Sequence, residues 1–351
     1  MKRIVIACDG TWSRSDATHP TNVLELARAV VPQGEDGCDQ VVCHVNGVGT
    51  RGNGRVTRTL DVVLGGVFGI GLMETLLEAY RFLIFNYAPG DAIFLFGFSR
   101  GAFTARSLAG MIRNCGILQP DHLHMLPEAV ALYQSTDARA HPKSAQSVEF
   151  RQLYSSNGAE PPSIAFLGVW DTVGALGIPE SFGWASTVNA GLKFHDTSLS
   201  KYVKKARHAV AIDERRRTFL PTLWDNLDRL GGGGAGYHQC WFPGDHGSVG
   251  GGGPNRFLSN DALLWVAAGA AEAGLSFDPK VVSAWSSDRD FAAPFQRPDG
   301  LFSRLLHLQQ IDRSGPRSIA SLAGSAIKRW KKNPLYRPRT LNALSGELER
   351  I

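Results

Sequence analysis

A chain of 351 residues is long enough for one large domain with insertions or for two domains, and far too long for a disulfide-stapled miniprotein. Apolar residues make up 43% and charged residues 20%, the balance of a folded protein with a core rather than a disordered chain. The net charge of +5 is concentrated at one end: nine basic residues face two acidic ones after Asp312, a local +7 that leaves −2 for Met1 to Asp312.

The start of the chain, Met1-Lys2-Arg3, is followed by only five apolar residues before Asp9-Gly10, too few for the core of a signal peptide. A cytoplasmic protein is expected, with export by a non-Sec route left open. The longest apolar stretch, Val62 to Met73, contains four glycines and stops at Glu74, so it is too short to cross a bilayer and reads as an apolar flap. Five cysteines, Cys8, Cys38, Cys43, Cys115 and Cys240, show no zinc-like spacing and fit a reducing compartment; Cys8 and Cys115 read as core residues.

Along the chain, Ile4 to Cys8 is a continuous apolar run, the pattern of a strand buried on both faces of a parallel sheet. A helix is expected over Asn22–Val31, with Thr21 as its cap and Pro32 as its stop. Gln40 to Val45 reads as a strand, and Gly71 to Tyr87 as a helix ended by the turn Pro89-Gly90-Asp91. Ala92 to Phe98 is the clearest strand, followed through Ser99 by a helix over Ala102–Asn114 and a terminating Gly116. Residues 119–160 read as a helical or irregular excursion. Ser163 to Trp170 is expected to be a strand, Tyr202 to Ile212 a helix, Tyr237 to Phe242 a strand and Leu258 to Ala273 a helix. This alternation predicts an α/β fold with a mostly parallel central sheet, over residues 1–276, and a basic C-terminal extension over 277–351.

Gly97-Phe98-Ser99-Arg100-Gly101 is a G-x-S-x-G sequence placed between an expected strand and an expected helix. At so tight a turn the serine Oγ is lifted above the sheet, and the glycines remove Cβ atoms that would clash. The bland alternative is a glycine-rich turn with a capping serine. A reacting serine needs a base, and the base needs an acid to orient it. Asp171 directly follows an expected strand, and His246 lies in the loop Pro243 to Gly251 directly after another, so Ser99, Asp171 and His246 can meet on one edge of the sheet although 72 and 75 positions separate them. Competing bases are His208, on the apolar side of its expected helix, and His238, inside a strand; competing acids are Asp196, Asp213 and Asp245. The backbone N–H of Arg100 is the expected first donor to a developing oxyanion, and the loop Asp9-Gly10-Thr11 offers Gly10 and Thr11 for the second, with Asp9 as a brace. Gly47 to Gly52 fits G-x-G-x-x-G but lacks the helix and the distant acid of a dinucleotide site, and no metal-ligand spacing is present.

Five segments, Ile6 to Trp12, Gly97 to Arg106, Gly168 to Gly174, Ala209 to Arg215 and Phe242 to His246, together resemble the catalytic domain of type VI secretion phospholipase effectors, in the expected order over about residues 3–273. The resemblance implies an α/β-hydrolase-like fold with irregular cap insertions and a serine esterase or phospholipase activity. It sets nucleophile, acid and base on the same Ser99, Asp171 and His246. An aspartate commonly follows the base by two positions in that family, whereas Ser248 stands there in this chain.

The sequence therefore predicts ester hydrolysis through an acyl-enzyme, without cofactor or metal, on an ester or lipid substrate. The cap is expected from residues 119–160 and 175–200. The basic cluster Lys328 to Lys332 is expected to be mainly solvated, with peripheral contact to a membrane as its candidate partner; its two nearby aromatics, Trp330 and Tyr336, are too few for nucleic acid. A non-catalytic hydrolase-fold scaffold and an exported antibacterial lipase are the competing readings.

Overall fold

The computed structural model describes residues 1–11, 13, 15–47, 66–174, 198–230, 236–295 and 310–351, with backbone alone for 66–70. The first elements are β1 (Arg3–Cys8), α1 (Asn22–Ala29), β2 (Gln40–Val45), α2 (Gly66–Asn86), β3 (Ala92–Phe98) and α3 (Arg100–Cys115). Then come α4 (Leu126–Gln134), α5 (Ala145–Tyr154), β4 (Ile164–Trp170), β5 (Val203–Ala211), β6 (Tyr237–Phe242), α6 (His246–Gly250) and α7 (Ser259–Glu272). After them follow α8 (Pro279–Ser287), α9 (Gly324–Lys332) and the single-turn α10 (Ser345–Leu348). The strand order is β2-β1-β3-β4-β5-β6, and every pairing is parallel. The fold is α/β, a parallel sheet flanked by helices.

The two-residue period of the strands divides the core. Ile4, Ile6 and Cys8 pack with Leu76, Tyr80 and Leu83 of α2 and with Leu108 and Ile112 of α3. Val5 and Ala7 pack on the other face with Val23 and Leu26 of α1 and with Leu263 and Val266 of α7. Both faces are covered, which is why these strands read as unbroken apolar runs. Cys8 and Cys115 are buried among these residues. The strand order reverses between β1 and β3, so the carboxyl ends of these neighbours flank the crevice where open α/β sheets place their sites.

Three differences from the sequence reading have physical causes. Residues 202–212 form a strand, β5, rather than a helix. Val203, Ala206 and Ala209 are spaced like one face of a helix, but the intervening Lys205 and Arg207 lie beneath α7 and send their charged heads outward, Lys205 Nζ to the Glu272 carbonyl at 2.8 Å and Arg207 to the Glu272 carboxylate at 2.8 Å. Residues 120–154 are helical and pack at the second half of α3, where Asn114 Nδ2 donates to the Leu132 carbonyl and Arg151 to the Asn114 carbonyl. This part of the expected cap thus lies toward the amino edge of the sheet; of the other part, residues 175–197 lie outside the described residues, as do 48–65, which include most of the G-x-G-x-x-G run and the start of the apolar flap. The basic C-terminal segment is docked rather than solvated: Leu322, just before α9, and Ala326 and Trp330 on α9 join Tyr336, Leu341, Leu344 and Leu348 in a third cluster against Val210, Ile212 and Trp241. Arg313 and Arg329 are buried, whereas Lys328, Lys331 and Lys332 are exposed. Among the described residues no helix is long and apolar enough to cross a membrane.

Candidate active site

Register puts the three singled-out side chains on one edge. Phe98 is paired with Trp170, Trp170 with Ala209 and Ala211 with Phe242, so the residues that follow β3, β4, β5 and β6 emerge side by side.

Ser99 is the single residue between β3 and α3, at φ 57° and ψ −123°. A Cβ on Gly97 would stand 2.4 Å from the Gly101 carbonyl oxygen, and one on Gly101 would stand 2.2 Å from that of Cys8, so both glycines are demanded by the tightness of the turn. The backbone is clamped onto the neighbouring strand end, with Ser99 N–H donating to the Trp170 carbonyl at 3.0 Å and Val173 N–H to the Ser99 carbonyl at 3.4 Å. That clamp holds a conformation unfavourable for a residue with a side chain.

Asp171 is the second non-glycine residue with positive φ, 38°, among the described residues. Its carboxylate is fully buried and saturated. Oδ1 accepts from Ala211 N–H at 2.9 Å and Arg313 Nη1 at 2.7 Å, and Oδ2 accepts from Arg313 Nη2 at 2.9 Å. Oδ2 also lies 2.6 Å from His246 Nδ1. Burial alone would raise its pKa, but the Arg313 charge and the hydrogen bonds from His246 and Arg313 outweigh it and hold the group well below the usual carboxylate range.

His246 is the first residue of α6, whose cap is Asp245, accepting from Ser248 N–H at 2.9 Å. His246 N–H donates to Glu214 Oε2 at 3.2 Å, and Glu214 is itself paired with Arg216 at 2.6 Å. The imidazole lies between Phe98 and Phe219, with centroids at 4.5 Å and 4.7 Å. Contact of Nδ1 with the carboxylate fixes the tautomer that leaves Nε2 to accept a proton. No hydrogen bond joins Ser99 Oγ to His246 among the described residues; such bonds in unliganded sites are commonly long and tighten when substrate binds.

The two segments expected to meet an oxyanion are the turn after β3 and the loop after β1. Arg100 directly follows Ser99 and is the first residue of α3. Gly10 N–H donates to Asp9 Oδ1 at 2.7 Å, and Thr11 is the next residue of that loop. Asp9 braces the loop, accepting also from Thr21 Oγ1 at 2.8 Å and lying 3.2 Å from His44 Nε2.

The rivals have other work. His208 is in the core of β5, accepting from Thr172 N–H at 3.2 Å, and burial pushes its pKa down to about 3. His238 lies half-buried on β6. Asp213 accepts from Gly244 N–H at 2.7 Å and Tyr336 Oη at 2.9 Å, bracing the His246 loop from the side, and Asp196 lies outside the described residues. Sequence reasoning missed Glu214, Phe219 and Arg313. Glu214 had a signal, a carboxylate just past an apolar run; Arg313, 142 positions from Asp171, had none. The arrangement is suited to taking a proton from a hydroxyl and holding the resulting imidazolium beside a carboxylate. Among the described residues no His, Cys, Asp and Glu group is arranged to hold a metal ion.

Comparison with known proteins bears on the fold's family. A protein of Saccharomyces cerevisiae described as "Uncharacterized protein YEL023C" is 31% identical over 231 residues, 62% of this chain and 32% of its own. A crystal structure of an uncharacterised protein from Pseudomonas aeruginosa is 19% identical with a TM-score of 0.42, covering 81% of this chain and 48% of that one. The structure of the Tle1 effector bound to the VgrG spike of the type VI secretion system is 22% identical with a TM-score of 0.44, covering 73% and 52%. The chain spans about a third of the length of the yeast relative and about half of the two solved chains. Residues 2–269 match the family described as "T6SS, Phospholipase effector Tle1-like, catalytic domain", and the chain belongs to that family.

Proposed function

We propose that the protein is a serine hydrolase that cleaves carboxylic esters, with lipid or phospholipid acyl esters as its substrate class. The observation that carries this reading is the buried His246–Asp171 pair, 2.6 Å from nitrogen to oxygen, on the same sheet edge as a serine held at positive φ. The family's description as a phospholipase effector supports the substrate class. In this reading Ser99 Oγ attacks the ester carbonyl while His246 takes its proton, and the oxyanion is met by the N–H groups of Arg100 and Thr11. His246 then protonates the leaving alcohol, and water, deprotonated by the same imidazole, releases the acid from Ser99. The exposed Lys328, Lys331 and Lys332, beside a Leu335 that is 93% exposed, are the proposed contact with an anionic membrane.

A fluorophosphonate probe and a panel of short and long p-nitrophenyl esters and phospholipid vesicles test the reading. Modification at Ser99 is expected, with activity falling by about a thousandfold or more in Ser99→Ala, as when a triad member is lost. Hydrolysis is expected to be faster on anionic than on zwitterionic vesicles, with the preference erased by salt. Equal rates for wild type and Ser99→Ala would favour the scaffold reading instead.

A further inference from the structure

We infer that Arg313 is a positioning residue of this site: its guanidinium fixes the plane of the Asp171 carboxylate and shares its charge, so that Asp171 orients His246 without acting on it as an unshared anion. The inference rests on the serine-hydrolase reading.

The contact is a planar fork on a planar acceptor, with Nη1 to Oδ1 at 2.7 Å and Nη2 to Oδ2 at 2.9 Å. Such paired bonds set orientation as well as distance, which a lysine cannot do. Each carboxylate oxygen then has two partners, Ala211 N–H and Nη1 on Oδ1, His246 Nδ1 and Nη2 on Oδ2, so rotation about the Cβ–Cγ bond would break several at once. The guanidinium is held in turn by the carbonyls of Ala211 and Phe219. Phe219 is also the residue whose ring lies against His246. One group therefore ties the acid, the end of β5 and the wall of the imidazole together.

Burial makes an ion pair a poor source of stability, because desolvation offsets much of the attraction. With side chains 1% and 0% exposed, the Arg313–Asp171 pair is of that kind, and its place directly behind the base gives it a use. The guanidinium arrives from outside residues 2–269, the part that matches the catalytic-domain family. Residues 310–311 run beside 215–216, with Ile311 N–H donating to the Arg215 carbonyl at 2.8 Å, and this deliver Arg313 to the site. The other charged and titratable groups around the pair are His208 on β5, Glu214 and Arg216 after it, Asp245 at the cap of α6, and Arg106 on α3.

The test is the pH dependence of ester hydrolysis by the full chain and its Arg313→Met and Arg313→Lys variants, each rate divided by the number of sites that a fluorophosphonate labels. In Arg313→Met, kcat per site is expected to fall about tenfold or more with KM within about threefold, the pattern of a group that acts through the catalytic step. The acid limb of kcat/KM is expected to move up by about one pH unit, because the Asp171 charge then acts on the imidazole unshared. Arg313→Lys should return the limb to its wild-type position while kcat per site stays about three- to tenfold low, since a point charge replaces the fork. If Arg313→Met does not fold, the lysine variant decides: a lowered kcat per site supports the role, and a wild-type value overturns it. Loss of activity that follows the labelled fraction alone, with the limb unmoved, also overturns it and leaves a structural role. Failure of wild-type Ser99 to be labelled removes the serine-hydrolase reading and this inference with it, an outcome distinct from labelled wild type with indifferent Arg313 variants.

Discussion

Ser99 and Asp171 are where the backbone departs from what side-chain-bearing residues prefer, at φ 57° and 38°. Strain of this sort costs on the order of 1–3 kcal/mol per residue and persists only where surrounding contacts impose it. At Ser99 those contacts are the hydrogen bonds to Trp170 and Val173 and the near-collision of the turn with the Cys8 carbonyl. Removing the Cβ relieves the strain, so Ser99→Gly is expected to unfold at higher urea than Ser99→Ala, by roughly 1 kcal/mol, although both lack the hydroxyl. Equal midpoints would show that the turn is relaxed. The serine was legible in the sequence because strain leaves a local mark, the two glycines that flank it. Arg313 was not, because a side chain paired across the fold imposes no pattern on its neighbours in sequence.

Among the elements, β1, β3 and β4 were legible because strands covered on both faces need apolar residues at every position. β5 was not, since Lys205 and Arg207 are accommodated on a covered face by reaching past α7, and the spacing of Val203, Ala206 and Ala209 imitates a helix. Charge also hid α9, whose buried apolar residues are only Ala326 and Trp330 among many charges. Trp330 is 3% exposed and is covered on one side by the Arg337 guanidinium at 4.0 Å from its ring centroid. Replacing it with alanine is expected to cost about 3–5 kcal/mol of local stability. Hydrogen exchange should then show loss of protection over 313–351, and fluorophosphonate labelling of Ser99 should slow as the Arg313 contact loosens. Unchanged protection in that segment would mean that Trp330 does not hold it.

Over the whole molecule, buried ionisable groups give stability a pH dependence with opposing parts. His208 is kept neutral by burial, its pKa pushed down to about 3, whereas an unfolded histidine titrates near 6.5. Between these values the unfolded chain binds the extra proton, so this contribution to stability declines as pH falls below about 6.5. Asp213 acts the other way: burial raises it to about 7, so its contribution is complete below the unfolded carboxylate value and is lost as pH rises through about 7. In His208→Gln, which keeps an acceptor for Thr172 N–H, the acid side of the stability curve should become shallower by up to about 1.4 kcal/mol per pH unit, one proton's worth. Urea unfolding at stepped pH measures it, and an unchanged slope would place the acid sensitivity elsewhere.

Because the counter-charge of Asp171 is encoded 142 positions after it, the order of synthesis matters. A nascent chain presents Ser99, Asp171 and His246 well before it presents the cation that seats Asp171. Until residue 313 has emerged and threaded beside Arg215, the Asp171 carboxylate lacks the fixed cation that meets both of its oxygens. A buried carboxylate without that cation costs folding free energy, so closure of this edge of the sheet waits for residue 313.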